Sequence, residues 1–184
     1  MDSLMEFITT KISGLYLIKP KILGDGRGKF VKTFHAQSFE EHGLKYNFQE
    51  SYYSTSQKDV LRGMHFQTPP HDHEKMVYVN AGAILDVVVD IRKNSSTYGQ
   101  YVSQTLSEEN GYIFYMPKGC AHGFLAIEDN TNVTYMQTSM YAPNNDGGIN
   151  PHSFGFDWGI TNPTTSERDL TFPDFKDFDT PFVG

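Results

Sequence analysis

Between Val60 and Gly82 the chain reads VLRGMHFQTPPHDHEKMVYVNAG, which gathers Arg62, His65, His71, His73, Glu74 and Lys75 in one short stretch. Further on, GYIFYMPKGCAHGFL adds Gly111, Pro117, Gly119 and His122. Two chemistries fit these residues. The first is a metal site. His71 and His73 with a distant His122 can offer three imidazoles, and three suffice for zinc. A carboxylate about four residues after His73 would complete the set, yet Val77 stands there, and Glu74, next to His73, points to the other side of a strand. His71 and His73 read equally well as members of an exposed Pro-Pro loop. The second chemistry is acid–base work without metal. Removing a proton beside a carbonyl needs a base that titrates near neutrality, with cations or donors where the enolate charge develops. His65 is the candidate base, with Arg62 and Lys75 as nearby cations. In a regular strand Arg62 and His65, three apart, face opposite sides. Both reach one pocket only if Gly63 marks a bulge or twist, and that irregularity is expected.

The elements that must position these groups are mostly strands. LYLIKP and GKFVKTF are short strand candidates around the turn LGDGRG, which carries Arg27. AQSFEEHG is the one helix of the first half, with Phe39 as its apolar contact and Gly43 suited to the left-handed residue that ends helices. YNFQESYYSTS and VLRGMHFQ follow as strands. KMVYV and ILDVVVDIR are joined by Asn80, Ala81, Gly82 and Ala83, a link of the kind that closes an antiparallel hairpin. Period-two alternation puts Leu85, Val87, Val89 and Ile91 on a core face, and Asp86, Val88 and Asp90 on a face that is wet or lines a pocket. TYGQYVSQTLS, YIFYM and NVTYMQTS complete the set, the last with Val133, Tyr135 and Gln137 on one face. Strands at fairly regular intervals favour an all-β sandwich or barrel with a few short helices, and the two motif-bearing segments look like the halves of a cupin-type barrel. The whole chain, 1–184, reads as one domain, and the tail, 162–184, as a helical turn or two packed on the barrel. Ser166 and Asp169 match the pattern in which both side chains cap a helix start.

Composition narrows the classes. A formal net charge of -7 argues against a general nucleic-acid binder, which would carry basic stripes. An anionic ligand must therefore be held by local cations, and Arg27, Arg62, Lys75, Lys118 and Arg168 lie near the motifs. No apolar run approaches the roughly 20 residues of a membrane span, and the first residues lack the order of a signal peptide, so a cytoplasmic protein is expected. One cysteine, Cys120, cannot form an internal disulfide, which fits a reducing compartment.

From Asp25 to about Asp169 the chain resembles the dTDP-4-dehydrorhamnose 3,5-epimerase (RmlC-like) family. DGRGKF, VLRGMHFQTPP, EKMVYV, LDVVVDIRKNSSTYGQ, LSEEN, MPKGCAHGF, TYMQTSMYAP, the DGGI loop and SERD occur in the family's order. The resemblance implies an isomerase that epimerises a nucleoside-diphosphate-4-keto-6-deoxysugar at carbon 3, carbon 5 or both, with no metal or other cofactor. It assigns His65 as the base, Asp169 as the carboxylate that orients it, Tyr135 as the acid on the opposite face and Lys75 as the cation near the enolate oxygen. It also places Arg27, Phe30, Glu50, Arg62, His122, Asp146 and Arg168 among the substrate contacts, with Arg27 and Arg62 on the diphosphate. It further implies an all-β, cupin-type jelly-roll barrel and a homodimer that exchanges strands, so that each pocket borrows residues from its neighbour. Two segments depart from the family's pattern: Lys32 replaces a usual Glu, and Gln49-Glu50-Ser51-Tyr52-Tyr53 replaces Gln-Asp-Asn. A ketoisomerase of the same barrel, a metal-dependent cupin built on His71, His73 and His122, and a non-catalytic sugar-binding cupin are the alternatives.

Overall fold

A computed structural model describes residues 4–184. Two antiparallel sheets face each other. One takes β1 (Met5–Thr9), β2 (Tyr16–Pro20), β5 (Glu50–Ser56), β7 (Lys75–Ala81), β10 (Ile113–Met116) and β12 (Thr131–Gln137), in the order β1-β2-β10-β7-β12-β5. The other takes β6 (Val60–Gln67), β8 (Ala83–Asp90), β9 (Tyr101–Ser107), β11 (Cys120–Ala126) and β13 (Asp146–Gly148), in the order β13-β6-β11-β8-β9. A short parallel strand, β14 (Thr164–Thr165), adds to β6. This is the all-β jelly roll that the family resemblance implies, with two short helices, α1 (Ala36–Glu41) and α2 (Glu167–Leu170). The hairpin of β3 (Ile22–Asp25) and β4 (Gly28–Val31) forms a separate two-stranded ribbon, with Arg27 in its tip.

One expectation fails instructively. β7 and β8 are not a hairpin, because they belong to different sheets. Gly82, at φ 74°, swings the chain across the barrel, and a side chain there would collide with Thr131. A short Gly link looks the same in sequence whether it folds a strand back beside itself or across a sandwich. The links after β6 and β10 also cross between sheets, so the two motif-bearing segments both bridge the barrel.

Three apolar clusters follow from this layering. The interior cluster joins Val77, Val79, Phe114 and Val133 of the first sheet to Ile84, Val88, Leu106 and Phe124 of the second. A second cluster covers the outer face of the second sheet, where Leu61, Met64, Val87 and Val89 meet Ile149, Phe154, Trp158 and Phe182 of the C-terminal segment. A third packs Phe39 of α1 against Ile18, Met76 and Ile113. β8 therefore has no wet face: Asp86 and Asp90 are both fully buried. Asp90 is satisfied by Arg92, Ser95 and Thr97, while Asp86 faces the interior. The helix α1 ends as its glycine predicts, with Gly43 at φ 69° and its N–H donating to Glu40.

Candidate active site

The interior between the sheets opens into a cavity of about 390 Å³ that both sheets line. β6 supplies Arg62, His65, Phe66 and Gln67, and β11 supplies His122 and Phe124. From the opposite sheet come Glu50, Tyr52 and Ser54 of β5, Lys75 of β7, and Tyr135 and Gln137 of β12.

The expected irregularity at Gly63 is present and explains how Arg62 and His65 share the cavity. Pairing of β6 with β11 joins His65 to His122 but Arg62 to Phe124, so β6 carries one extra residue. The extra residue resets the side-chain alternation. Gly63 sits at φ 124°, and a Cβ there would stand 2.5 Å from the Gly123 Cα and 2.7 Å from the His122 carbonyl oxygen, so only glycine fits.

Asp169 locks this bulge to the histidine. Its Oδ1 lies 2.7 Å from His65 Nε2, and its Oδ2 accepts the Gly63 N–H at 3.0 Å. Ser166 caps α2 by accepting the Asp169 N–H at 3.1 Å. The reciprocal cap suggested by the sequence does not form, because the carboxylate is committed to His65 and Gly63. Burial alone would raise the Asp169 pKa, but the hydrogen bonds from His65, Gly63 and Ser166 outweigh it and hold the group below the usual carboxylate range. An ionised Asp169 can only accept, so it selects the tautomer in which Nε2 carries the proton and the other ring nitrogen keeps its lone pair. That arrangement suits a general base.

Tyr135 belongs to the facing sheet. Its hydroxyl meets Ser54 Oγ at 3.1 Å. Burial raises its pKa well above that of an ordinary phenol, so it holds its proton and can give it. Tyr52 stacks on it with ring centroids 4.8 Å apart, and burial pushes the Tyr52 phenol up to about 12. Lys75 is 9% exposed, and burial lowers its pKa to about 8 against the pull of Asp146 and Asp86. A nearly dry ammonium of this kind favours negative charge beside it.

The remaining predicted contacts divide by position. His122 Nε2 lies 2.7 Å from Asp86 Oδ2, and burial raises the Asp86 pKa against the influence of His122 and Lys75. Arg62 donates to Ser56 Oγ at 2.9 Å, Arg168 pairs with Asp146 at 2.6 Å, and Glu50 Oε2 accepts the Tyr141 N–H at 2.5 Å. All four of the contact residues Glu50, Arg62, Asp146 and Arg168 line the cavity. Arg27 and Phe30 do not. They line a separate cleft on the β3–β4 ribbon, where Arg27 bonds Asp25 and Phe30 is 58% exposed. Lys32 also stands outside the cavity lining.

The three imidazoles of the metal alternative do not converge: His73 and His122 both line the cavity, but His71 does not. His71 is exposed and bonds through its backbone, its carbonyl accepting from Gln67 and Ser139 and its N–H donating to the Thr68 carbonyl. His73 is buried, its pKa lowered to about 3 by burial and by the charges of Lys75 and Lys118, and its Nδ1 contacts Gln67 and Ser139. Among the described residues no three His, Cys, Asp or Glu side chains are grouped to hold a metal ion. No helix among them is long and apolar enough to cross a membrane.

Several lining groups went unassigned from sequence, namely Tyr52, Ser54, Phe66, Gln67 and Tyr141, and His73 lines the cavity as well, although its pattern suggested a metal ligand or an exposed loop. Period two carries a usable signal for two of them: Tyr52 and Ser54 share a face with Glu50, as Gln137 does with Tyr135. Asp86, which bonds the lining His122, is a carboxylate within an apolar strand, which is a second signal.

Comparison with known proteins agrees with this geometry. The family profile described as dTDP-4-dehydrorhamnose 3,5-epimerase matches residues 9–177. The dTDP-4-dehydrorhamnose 3,5-epimerase of Methanothermobacter thermautotrophicus is 44% identical over 157 residues, covering 84% of each chain. The Legionella pneumophila enzyme RmlC, solved in complex with dTDP-4-keto-L-rhamnose, superposes with a TM-score of 0.90 at 38% identity over 95% of both chains. A 3'-monoepimerase from Streptomyces bikiniensis, in complex with dTDP-quinovose, superposes with a TM-score of 0.88 at 29% identity, covering 92% of this chain and 87% of that one. The chain belongs to the dTDP-4-dehydrorhamnose 3,5-epimerase family.

Proposed function

We propose that the protein epimerises a nucleotide-linked 4-keto-6-deoxysugar next to its carbonyl, with dTDP as the carrier. The observation that supports this best is the pairing of His65 with Asp169 on one sheet side of the cavity and the placement of Tyr135 on the other. Inversion at a carbon needs proton removal from one face and delivery to the opposite face. In this reading the free ring nitrogen of His65 takes the proton from the carbon beside the ketone. The electron pair moves onto the carbonyl oxygen, where the Lys75 ammonium stabilises the enolate. Tyr135 then gives its phenolic proton to the far face, and solvent restores both groups. Arg62, with an Arg27 from a second copy, holds the diphosphate, and His122, set by Asp86, contacts the sugar.

The same reading makes the protein a cytoplasmic homodimer of single-domain protomers. Support for the dimer comes from the β3–β4 ribbon, which among the described residues pairs only with itself and exposes Ile22, Leu23 and Phe30. Seated against a second copy, the ribbon would bring Arg27 and Phe30 to the partner's cavity, which accounts for their distance from their own.

The test is proton NMR of dTDP-4-keto-6-deoxyglucose with the enzyme in heavy water. Signal is expected to disappear at carbon 3, carbon 5 or both, and His65→Ala is expected to abolish the loss. No exchange with this or other nucleotide 4-keto sugars would overturn the proposal.

A further inference from the structure

Tyr135 is braced on more than one side. Its hydroxyl meets Ser54 Oγ at 3.1 Å, and its ring stands edge-on to His122 with centroids 6.4 Å apart. One ring face is covered by Tyr52, its direct cross-strand partner in the β12–β5 register, at 4.8 Å and 17° between planes. Tyr52 is itself tied down. Its hydroxyl donates to Gln137 Oε1 at 3.4 Å, and the Gln137 amide nitrogen donates to Glu50 Oε2 at 3.2 Å. That carboxylate oxygen also accepts the Tyr141 N–H at 2.5 Å. Because a carboxylate cannot donate, Glu50 obliges Gln137 to present its nitrogen there and its oxygen to Tyr52, which gives the chain one direction. The Tyr52 hydroxyl is spent on Gln137 and not on Tyr135, so Tyr52 offers a ring surface to the acid and no proton route.

We propose that Tyr52 is a positioning residue that holds the Tyr135 phenol at the angle from which its proton reaches the far face of the sugar carbon, and so sets how often a deprotonated sugar is inverted. The inference rests on the epimerase reading. Proton removal by His65 is common to two outcomes. The enolate can recover a proton from the His65 side, which restores the starting configuration with solvent hydrogen, or from Tyr135, which inverts it. Only the second outcome depends on the orientation of Tyr135. β5 is the edge strand of its sheet, so Tyr52 is the outermost ring of this wall and nothing in the same sheet replaces it when it is truncated.

The experiment measures, in heavy water with dTDP-4-keto-6-deoxyglucose, the share of deuterium-labelled carbons that have inverted, from initial rates. Both quantities come from one sample, so the share is independent of the fraction of enzyme folded. Stacked ring pairs contribute modestly, and Tyr52→Ala is expected to lower the inverted share about two- to tenfold. Tyr52→Phe, which keeps the ring and loses the hydroxyl, restores it to near the wild-type value. An inverted share unchanged in Tyr52→Ala sinks this inference alone, and so does a Tyr52→Phe variant that fails as badly as Tyr52→Ala. A wild-type protein that exchanges no proton overturns the epimerase reading and this inference with it.

Discussion

Asp169→Asn isolates the role of the carboxylate behind His65. In the native protein Oδ1 accepts from His65 Nε2 at 2.7 Å while Oδ2 accepts the Gly63 N–H at 3.0 Å. An asparagine has one acceptor oxygen for these two donors. The Gly63 amide is a fixed backbone donor, so the amide oxygen turns to it and the amide NH₂ faces His65. The imidazole then accepts at Nε2, its proton moves to the cavity-facing nitrogen, and the base is lost. The charge-assisted hydrogen bond alone is worth about 1.5–3 kcal/mol, which corresponds to a fall of about 10- to 150-fold in rate. The tautomer change adds to that. Deuterium exchange into a saturating nucleotide 4-keto sugar measures it, and the loss is expected in kcat. Exchange within about threefold of wild type, or a loss confined to KM, would refute the reasoning. A stability signature accompanies it. The Asp169 pKa is lower folded than unfolded, so the unfolded chain binds more protons just below the ordinary carboxylate range. The carboxylate's contribution is therefore complete above that range and disappears as the pH falls through its folded value. Thermal unfolding of Asp169→Asn should depend less steeply on pH across that acid window than that of the wild type.

Two further predictions follow from other parts of the cavity. Because burial sets the Lys75 pKa at about 8, the charge opposite the enolate is lost as the pH rises through that value. The pH profile of kcat/KM, which reports groups of the free enzyme, should have an alkaline limb near pH 8 that Lys75→Arg removes, and an unshifted limb in that variant would exclude Lys75 as its source. The ribbon makes a different demand. If Arg27 serves the partner's cavity, Arg27→Ala and His65→Ala, each nearly inactive, should complement when mixed after dissociation. Half of the random dimers carry one intact site, so about a quarter of wild-type activity should return. Mixtures no more active than their components would place Arg27 outside the partner's site.

Much of the chemistry was legible in residue types and spacing. The odd separation of Arg62 and His65 around a glycine required a bulge, and the bulge is there. The apolar alternation and turn residues dictated an all-β chain, and Gly43 marked where α1 stops. These are local consequences of strand pleat and backbone freedom, which a short window of sequence contains. Other features depend on which sheet each strand joins. The Gly82 link looked like a hairpin and instead crosses the barrel. The face of β8 with Asp86 and Val88 turned inward, while the odd-numbered face lies beneath Phe154, Trp158 and Phe182, more than fifty residues away in sequence. Asp169 could have served as a helix cap; it meets His65 because β14 adds alongside β6 and carries α2 back to the bulge. The sharing of one cavity by His73 and His122 but not His71, and the stacking of Tyr52 on Tyr135, are likewise non-local. Local pattern specifies what each segment becomes, but long-range pairing sets which side chains share a cavity, because closing the barrel depends on the burial of all its faces together.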